Sequence, residues 1–197
     1  MVTESYFADA SFAPTDLATA PTSMFKIAIV GPESSGKTTL TEALAQHYGC
    51  LYTAEFARIY LADKGPGYVE EDLLHIAHGQ LLKEREMQQL AHDRRNGLLV
   101  CDTDLLTIRI WSEEVYGRSA PELLTLSQHH HYDHWMLCRP DIPWEPDPLR
   151  ENPHDRDRLF EVYEAMLKKL AKPYTILEGP LGDRLRKAIA AIDMRER

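Results

Sequence analysis

The chain has no run of about twenty apolar residues, so no segment reads as a bilayer-spanning helix. Cysteine is scarce and odd in number. Cys50, Cys101 and Cys138 form no Cys-x-x-Cys pair. This argues against a disulfide framework and reads as small buried residues in a reducing, cytoplasmic setting. Basic residues are outnumbered, 22 Lys and Arg against 31 Asp and Glu, for a formal net charge of -9. Nucleic-acid backbones call for clustered Lys and Arg, so this balance argues against a nucleic-acid partner. Residues 1–23 carry no Lys or Arg and no continuous apolar core, which excludes a secretory signal. Rich in Ala, Thr, Ser and Pro, they read as a flexible leader before a single domain over residues 24–197.

What the chain does have is five short apolar runs separated by helical patterns. They are Phe25–Gly31, Cys50–Ala54, Gly97–Thr103, His134–Pro140 and Pro173–Gly179. Each is continuous rather than alternating, as expected of a strand buried on both faces. Strands that alternate with helices imply an α/β fold, a five-stranded parallel sheet with helices on both faces. The spacing predicts helices from the glycine loop to Tyr48, over Val69–Arg95, over Leu105–Tyr116, over Asp155–Ala171, and from Leu181 onward.

The stretch GPESSGKT, Gly31–Thr38, fits G-x-x-x-x-G-K-[ST] with a strand before it and a helix after it. Gly31 and Gly36 let successive N–H groups point at a phosphate, and the helix N-terminus adds positive partial charge. Lys37 is placed to reach the β- and γ-phosphates, and the Thr38 hydroxyl to ligate Mg²⁺. Gly31, Glu33, Ser34, Ser35, Gly36, Lys37, Thr38 and Thr39 are therefore the candidate ATP contacts of a P-loop NTPase.

In a parallel sheet, ligands sit beyond the carboxyl ends of the strands. The second strand ends in TAEFARIYL, with Glu55 and Arg58 three apart, and the third in VCDTD, with Asp102 and Asp104 around Thr103. One carboxylate there can hold Mg²⁺, for which Asp102 is the candidate beside Thr38. Another can accept the proton of an attacking hydroxyl, and Glu55 and Asp102 both remain open for that role. Gln80 falls on the apolar stripe of the long helix and needs a partner, in the core or on a substrate. Gly79 beside it permits close approach. Trp111 reads as core or substrate contact.

The stretch Arg139–Arg158 is a polar loop with five prolines, Trp144, and arginines at 150, 156 and 158. A loop that brings arginine over a γ-phosphate stabilises the transferring group and excludes water. The histidine run at His129–His134 straddles a helix-to-strand junction, so helical metal-ligand spacing does not hold there.

Together GPESSGKTTL, EFARIYL, DLLHIAHGQ, CDTDLLTIRIWSEEVYG and YDHWMLCRPDIPWEPDPLR resemble the ribosylnicotinamide kinase domain of NadR-type proteins, from about Phe25 to the C-terminus. The resemblance implies a P-loop kinase similar in fold to thymidylate and nucleoside kinases, with a LID loop. It implies ATP- and Mg²⁺-dependent phosphorylation of the 5′-hydroxyl of nicotinamide riboside, giving nicotinamide mononucleotide for NAD synthesis. Lys37, Glu55, Asp102 and Arg150 then carry the chemistry, with Arg150 as the LID arginine. Glu55, Phe56, Arg58, Gln80, Asp102, Asp104, Trp111 and Trp144 fall on the substrate side, and Arg184 falls in the loop expected near adenine. Where NadR-type proteins carry an aromatic before the glutamate, this chain has Ala54, leaving Phe56 as the neighbouring ring. The chain has no room for that family's adenylyltransferase and helix-turn-helix domains, which implies a free-standing kinase domain. The rival readings are a kinase for another nucleoside, a regulatory or mechanical NTPase, and a nucleotide-sensing DNA-binding module. The residues leave ATP-versus-GTP preference and homo-oligomerisation open.

Overall fold

A computed structural model describes residues 24–65, 67–93, 97–147, 150 and 153–194. The leader expected over residues 1–23 lies outside these, as do Arg94, Arg95 and Asn96, where the long helix was expected to end. Among the described residues five strands form one parallel sheet in the order β2-β3-β1-β4-β5. They are β1 (Phe25–Val30), β2 (Leu51–Thr53), β3 (Leu98–Asp102), β4 (His134–Cys138) and β5 (Tyr174–Leu177). The helices are α1 (Lys37–Tyr48), α2 (Phe56–Lys64), α3 (Glu70–Asp93), α4 (Leu105–Tyr116), α5 (Pro121–His129), α6 (Arg156–Lys169) and α7 (Leu181–Asp193).

The sheet is buried on both sides because its central strands are apolar at most positions, Lys26, Asp102 and His134 being the exceptions. Ile27 and Ile29 of β1 pack with Leu40 and Leu44 of α1 and Ala188 and Ile192 of α7. Ala28 and Val30 pack on the opposite face with Leu106 and Ile110 of α4 and Phe160 and Leu167 of α6. A satellite core joins α2, α3, α4 and α5 through Phe56, Leu61, Leu73, Ile76, Ile108 and Leu123.

Two short helices, α2 and α5, are additions to the elements predicted from the chain. The first begins only two residues after β2, with a glutamate, a weak cap, at its N-cap. The second opens on Pro121 at its first turn. Chain order explains the place of the site. From β1 the chain moves to β2 and β3 on one side, then crosses to β4 and β5 on the other. The crevice at the carboxyl ends of β1, β3 and β4 is the switch point where such sheets bind ligands.

Candidate functional site

The phosphate loop leaves β1 at Gly31, whose φ of 139° suits glycine. A Cβ there would lie 2.6 Å from the Cys138 carbonyl oxygen at the end of β4, so the loop and β4 touch through backbone. Gly36, at φ 79°, opens α1 in the left-handed region without a side-chain cap. The first N–H groups of α1 are therefore presented to whatever sits in the loop. Lys37 donates to the carbonyls of Gly31 at 3.0 Å and Pro32 at 2.8 Å. Both are neutral acceptors, over which a phosphate oxygen is favoured. Ser35 ties the turn by donating to the Pro32 carbonyl at 2.8 Å.

Arg184 of α7 braces the loop from behind. It is 3% exposed and donates to the carbonyls of Ser35 at 2.7 Å, Arg139 at 2.9 Å and Gly179 at 2.6 Å. It also pairs with Asp141. Its guanidinium is occupied by protein acceptors, and it stands outside the cavity lining. The expected adenine-side arginine is thus a buried clamp that fixes the loop's shape.

The Thr38 hydroxyl donates to Asp102 Oδ2 at 2.6 Å. Oδ1 of the same carboxylate is buried with no hydrogen-bond partner among the described residues. Burial, and next the charge of Glu55, push the Asp102 carboxyl up to about 6, and Thr38, Lys37 and Arg58 offset only part of this. A buried carboxylate with a spare oxygen, held beside a hydroxyl at the phosphate loop, fits a hard divalent cation. Thr38 and Asp102 are the residues here that would hold Mg²⁺.

A cavity of about 450 Å³ opens in front of the loop. Gly31, Glu33, Ser34, Ser35, Gly36, Lys37, Thr38 and Thr39 form its donor-side wall. Glu55, Arg58, Trp111 and Arg150 also line it. Arg58 donates to Glu55 Oε2 at 3.1 Å and to Asp147 Oδ2 of the proline-rich loop at 2.8 Å. Trp111 lies in α4 and donates to the Tyr68 hydroxyl at 3.0 Å, an edge contact that sets its ring.

Between β4 and α6 the proline-rich loop folds back over the phosphate loop. The Glu145 N–H donates to Ser34 Oγ at 2.9 Å, and Arg150 reaches the same oxygen at 3.4 Å. Arg156 donates to the Ser34 carbonyl at 3.0 Å and to the Ile142 carbonyl at 3.2 Å. The Trp144 ring lies near both guanidiniums, 5.8 Å from that of Arg150 and 5.6 Å from that of Arg156. Trp144 therefore packs the loop's own arginines and stands outside the cavity lining.

Three other expected substrate contacts are placed in the frame of the site. Asp104 is the N-cap of α4, accepting from the Thr107 N–H at 2.9 Å and from Trp135 Nε1 at 2.8 Å, and is 1% exposed. Phe56 is buried in the satellite core, so its face is not offered to a ligand. Gln80 is equally buried, and its Oε1 accepts the Phe56 N–H at 2.9 Å. The cavity instead includes Thr107, Ile110, Glu114 and Val115 of α4 and Arg158, Leu159 and Tyr163 of α6. Arg158 pairs with Glu114 at 2.5 Å and with Asp155 at 2.6 Å. Arg158 is one of the three loop arginines that the sequence marks; the others carry no motif, and only helical spacing from Trp111 to Val115 points to those of α4.

The histidine run is dispersed. His130 meets Lys26 and Glu84, His131 meets Asp133, and His134 meets Thr175. No helix among the described residues is long and apolar enough to cross a membrane.

Comparison with known proteins agrees with this layout. The chain is 27% identical over 156 residues to the trifunctional NAD biosynthesis/regulator protein NadR of Salmonella typhimurium, covering 76% of this chain and 36% of that protein. It is 28% identical over 138 residues to the NadR of Escherichia coli K12, covering 67% and 32%. The chain thus spans well under half the length of the curated relatives it matches. Among solved structures, a NadR protein in complex with NAD and AMP-PNP aligns with a TM-score of 0.67 at 22% identity, over 86% of this chain and 48% of that one. A NadR protein in complex with NR aligns with a TM-score of 0.65 at 21% identity, over 86% and 50%. Thymidylate kinase from Ehrlichia chaffeensis aligns with 0.63 at 15% identity, over 87% and 100%, so the shared feature is the P-loop kinase fold. The family model AAA_28, described as an AAA domain, matches residues 26–184, from the start of β1 to the Arg184 clamp, and the chain belongs to that family.

Proposed function

We propose that the chain transfers the γ-phosphoryl group of ATP to the 5′-hydroxyl of nicotinamide riboside. The observation that carries this reading is the composition of one cavity. The phosphate loop, Glu55 and Trp111 all line it. A hydrolytic switch or motor needs the first of these but has no use for an acceptor-side carboxylate facing an aromatic residue. The homology to NadR supports nicotinamide riboside as the acceptor, and the cavity's Trp111 supplies a flat face for its ring.

In this reading Lys37 releases the Gly31 and Pro32 carbonyls and holds the triphosphate. Glu55 orients the acceptor hydroxyl and takes its proton as the oxygen attacks. The new O–P bond forms in line while the bond from the γ-phosphorus to the bridging oxygen of ADP breaks. Thr38 and Asp102 would hold Mg²⁺, which would neutralise part of the triphosphate charge. Arg150 and Arg158 sit at the cavity where the transferring group passes and stabilise its charge. Asp102 belongs to the donor side, since it is bonded to Thr38 and stands behind the lining, which leaves Glu55 as the base.

The test is a phosphate-transfer assay with ATP against nicotinamide riboside, thymidine and deoxyadenosine, with products identified by mass. Nicotinamide mononucleotide as the favoured product by kcat/KM supports the reading. A preference for another nucleoside reassigns the acceptor, and ATP hydrolysis with no phosphorylated nucleoside overturns the kinase reading.

A further inference from the structure

Glu55 occupies the N-cap of α2, yet its side chain makes no cap hydrogen bond. The first N–H groups of a helix need acceptors, and the N-cap residue ordinarily supplies one. The N–H of Phe56, the first helical position, lies beyond what an N-cap side chain serves, and its acceptor comes from another helix. Gln80 of α3 lies 1% exposed and its Oε1 accepts the Phe56 N–H at 2.9 Å, across 24 residues of chain. Of the amide's two ends only the oxygen accepts, so this bond orients the buried amide. The neighbouring residue completes the lock. A Cβ on Gly79 would lie 2.0 Å from Phe56 Cε1, so the Phe56 ring rests on bare helix backbone.

We propose that Gln80 is a positioning residue for Glu55. By holding the first N–H of α2, Gln80 fixes the backbone that carries Glu55, a residue of the cavity lining whose carboxylate accepts from Arg58. Gly79 seats the Phe56 ring and so sets the height of the first turn of α2 over α3. The peptide joining Glu55 to Phe56 is thereby held at the Phe56 N–H and by the Phe56 ring, and the carboxylate's approach to the acceptor hydroxyl is set by α3. This explains why an amide sits on the apolar stripe of a core helix, and why a glycine precedes it at a cost in helix propensity. The inference rests on the reading of Glu55 as the acceptor-side carboxylate.

The experiment is a double-mutant cycle on the full chain with the variants Gln80→Met, Glu55→Gln and both together. Methionine keeps the shape and removes the acceptor. The expected result is a fall in kcat between about 10- and 100-fold for Gln80→Met, with KM for ATP unchanged, as for a small misplacement of a catalytic group. In the Glu55→Gln background the same substitution is expected to lower kcat no further, because its effect passes through Glu55. Hydrogen exchange supplies a second readout. The Phe56 amide should exchange faster in Gln80→Met while the Tyr60 and Leu61 amides keep their protection. Equal kcat losses in both backgrounds, or lost thermal stability with kcat intact, would overturn the positioning role. A wild-type chain that phosphorylates no nucleoside overturns instead the kinase reading on which that role depends.

Discussion

Glu84 and Asp102 are both carboxylates with almost no exposure, 1% and 2%, at opposite ends of one sheet. Glu84 of α3 faces the start of β1. It accepts from Lys26 at 2.9 Å and Tyr132 at 2.7 Å, and lies 2.9 Å from His130. Burial pushes its carboxyl up, but Lys26, His130 and Tyr132 outweigh burial and hold it at about 2. Asp102, at the far end, has one bond from Thr38 and a bare second oxygen, and is pushed up to about 6. The difference separates structural from functional burial. A charge with all its partners supplied by the chain holds the fold. A charge with a partner missing is kept for something that binds.

The largest effect should come from breaking the satisfied end. Glu84→Ala leaves the Lys26 ammonium buried without its counter-charge, and should cost about 3–5 kcal/mol in urea unfolding. Nucleotide affinity of the folded fraction should be unchanged. The pair replacement Lys26→Met with Glu84→Met should recover most of that loss, since a buried ion pair is often matched by apolar residues of similar volume. Failure to recover would show that His130 and Tyr132 need the charges.

At the opposite end, loss of the phosphate-loop lysine should show in activity and not in stability. Lys37→Ala removes an ammonium bonded, among the described residues, to two loop carbonyls, so the urea midpoint should hold while kcat falls by about 10²–10³-fold. Turnover at the wild-type rate would remove Lys37 from the mechanism.

The two carboxylates should also oppose one another in pH. Asp102 binds its proton more tightly folded than unfolded. Its contribution is therefore full below about pH 4 and is lost as pH rises through about 6, for a total near 3 kcal/mol. Glu84 behaves in reverse, stabilising above about pH 4.5 and losing that as pH falls towards 2. Asp102→Asn should flatten the slope between pH 4 and 6 in metal-free protein and raise stability at pH 8, while abolishing transfer. Added Mg²⁺ should flatten the same slope in the wild type. A slope unchanged by the substitution would place the titration elsewhere.

Much of this layout was legible beforehand. The five strands fall within the five apolar runs, and the phosphate loop sits where its motif placed it, because both signals are local. The errors lie where a residue's partner is distant in sequence. Asp104 after a strand looks like a ligand until Trp135, thirty-one residues on, is seen to claim it. Arg184 looked ligand-facing until its acceptors proved to be backbone carbonyls of three separate loops. The Glu84 network was missed although it had a signal. Lys26 lies inside the apolar run FKIAIV, and a lysine in a strand buried on both faces requires a buried partner.

The smallest effect expected concerns the arginines, which repeat the same contrast within one loop system. Arg184 is fully engaged and buried, so Arg184→Ala should strip three carbonyls of their donor, lowering stability and weakening ATP binding together. Arg150 is half-buried at the cavity. Its longest contact is the 3.4 Å approach to Ser34 Oγ, and it also reaches the Glu145 carbonyl. Such bonds are readily exchanged for a phosphoryl oxygen. Arg150→Ala should therefore lower kcat about 10-fold, as for a contact made mainly in the transition state, with ATP affinity nearly unchanged. If affinity falls and kcat does not, Arg150 holds the ground state instead, and the charge of the transferring group is then left to Arg158, which lines the same cavity from the first turn of α6.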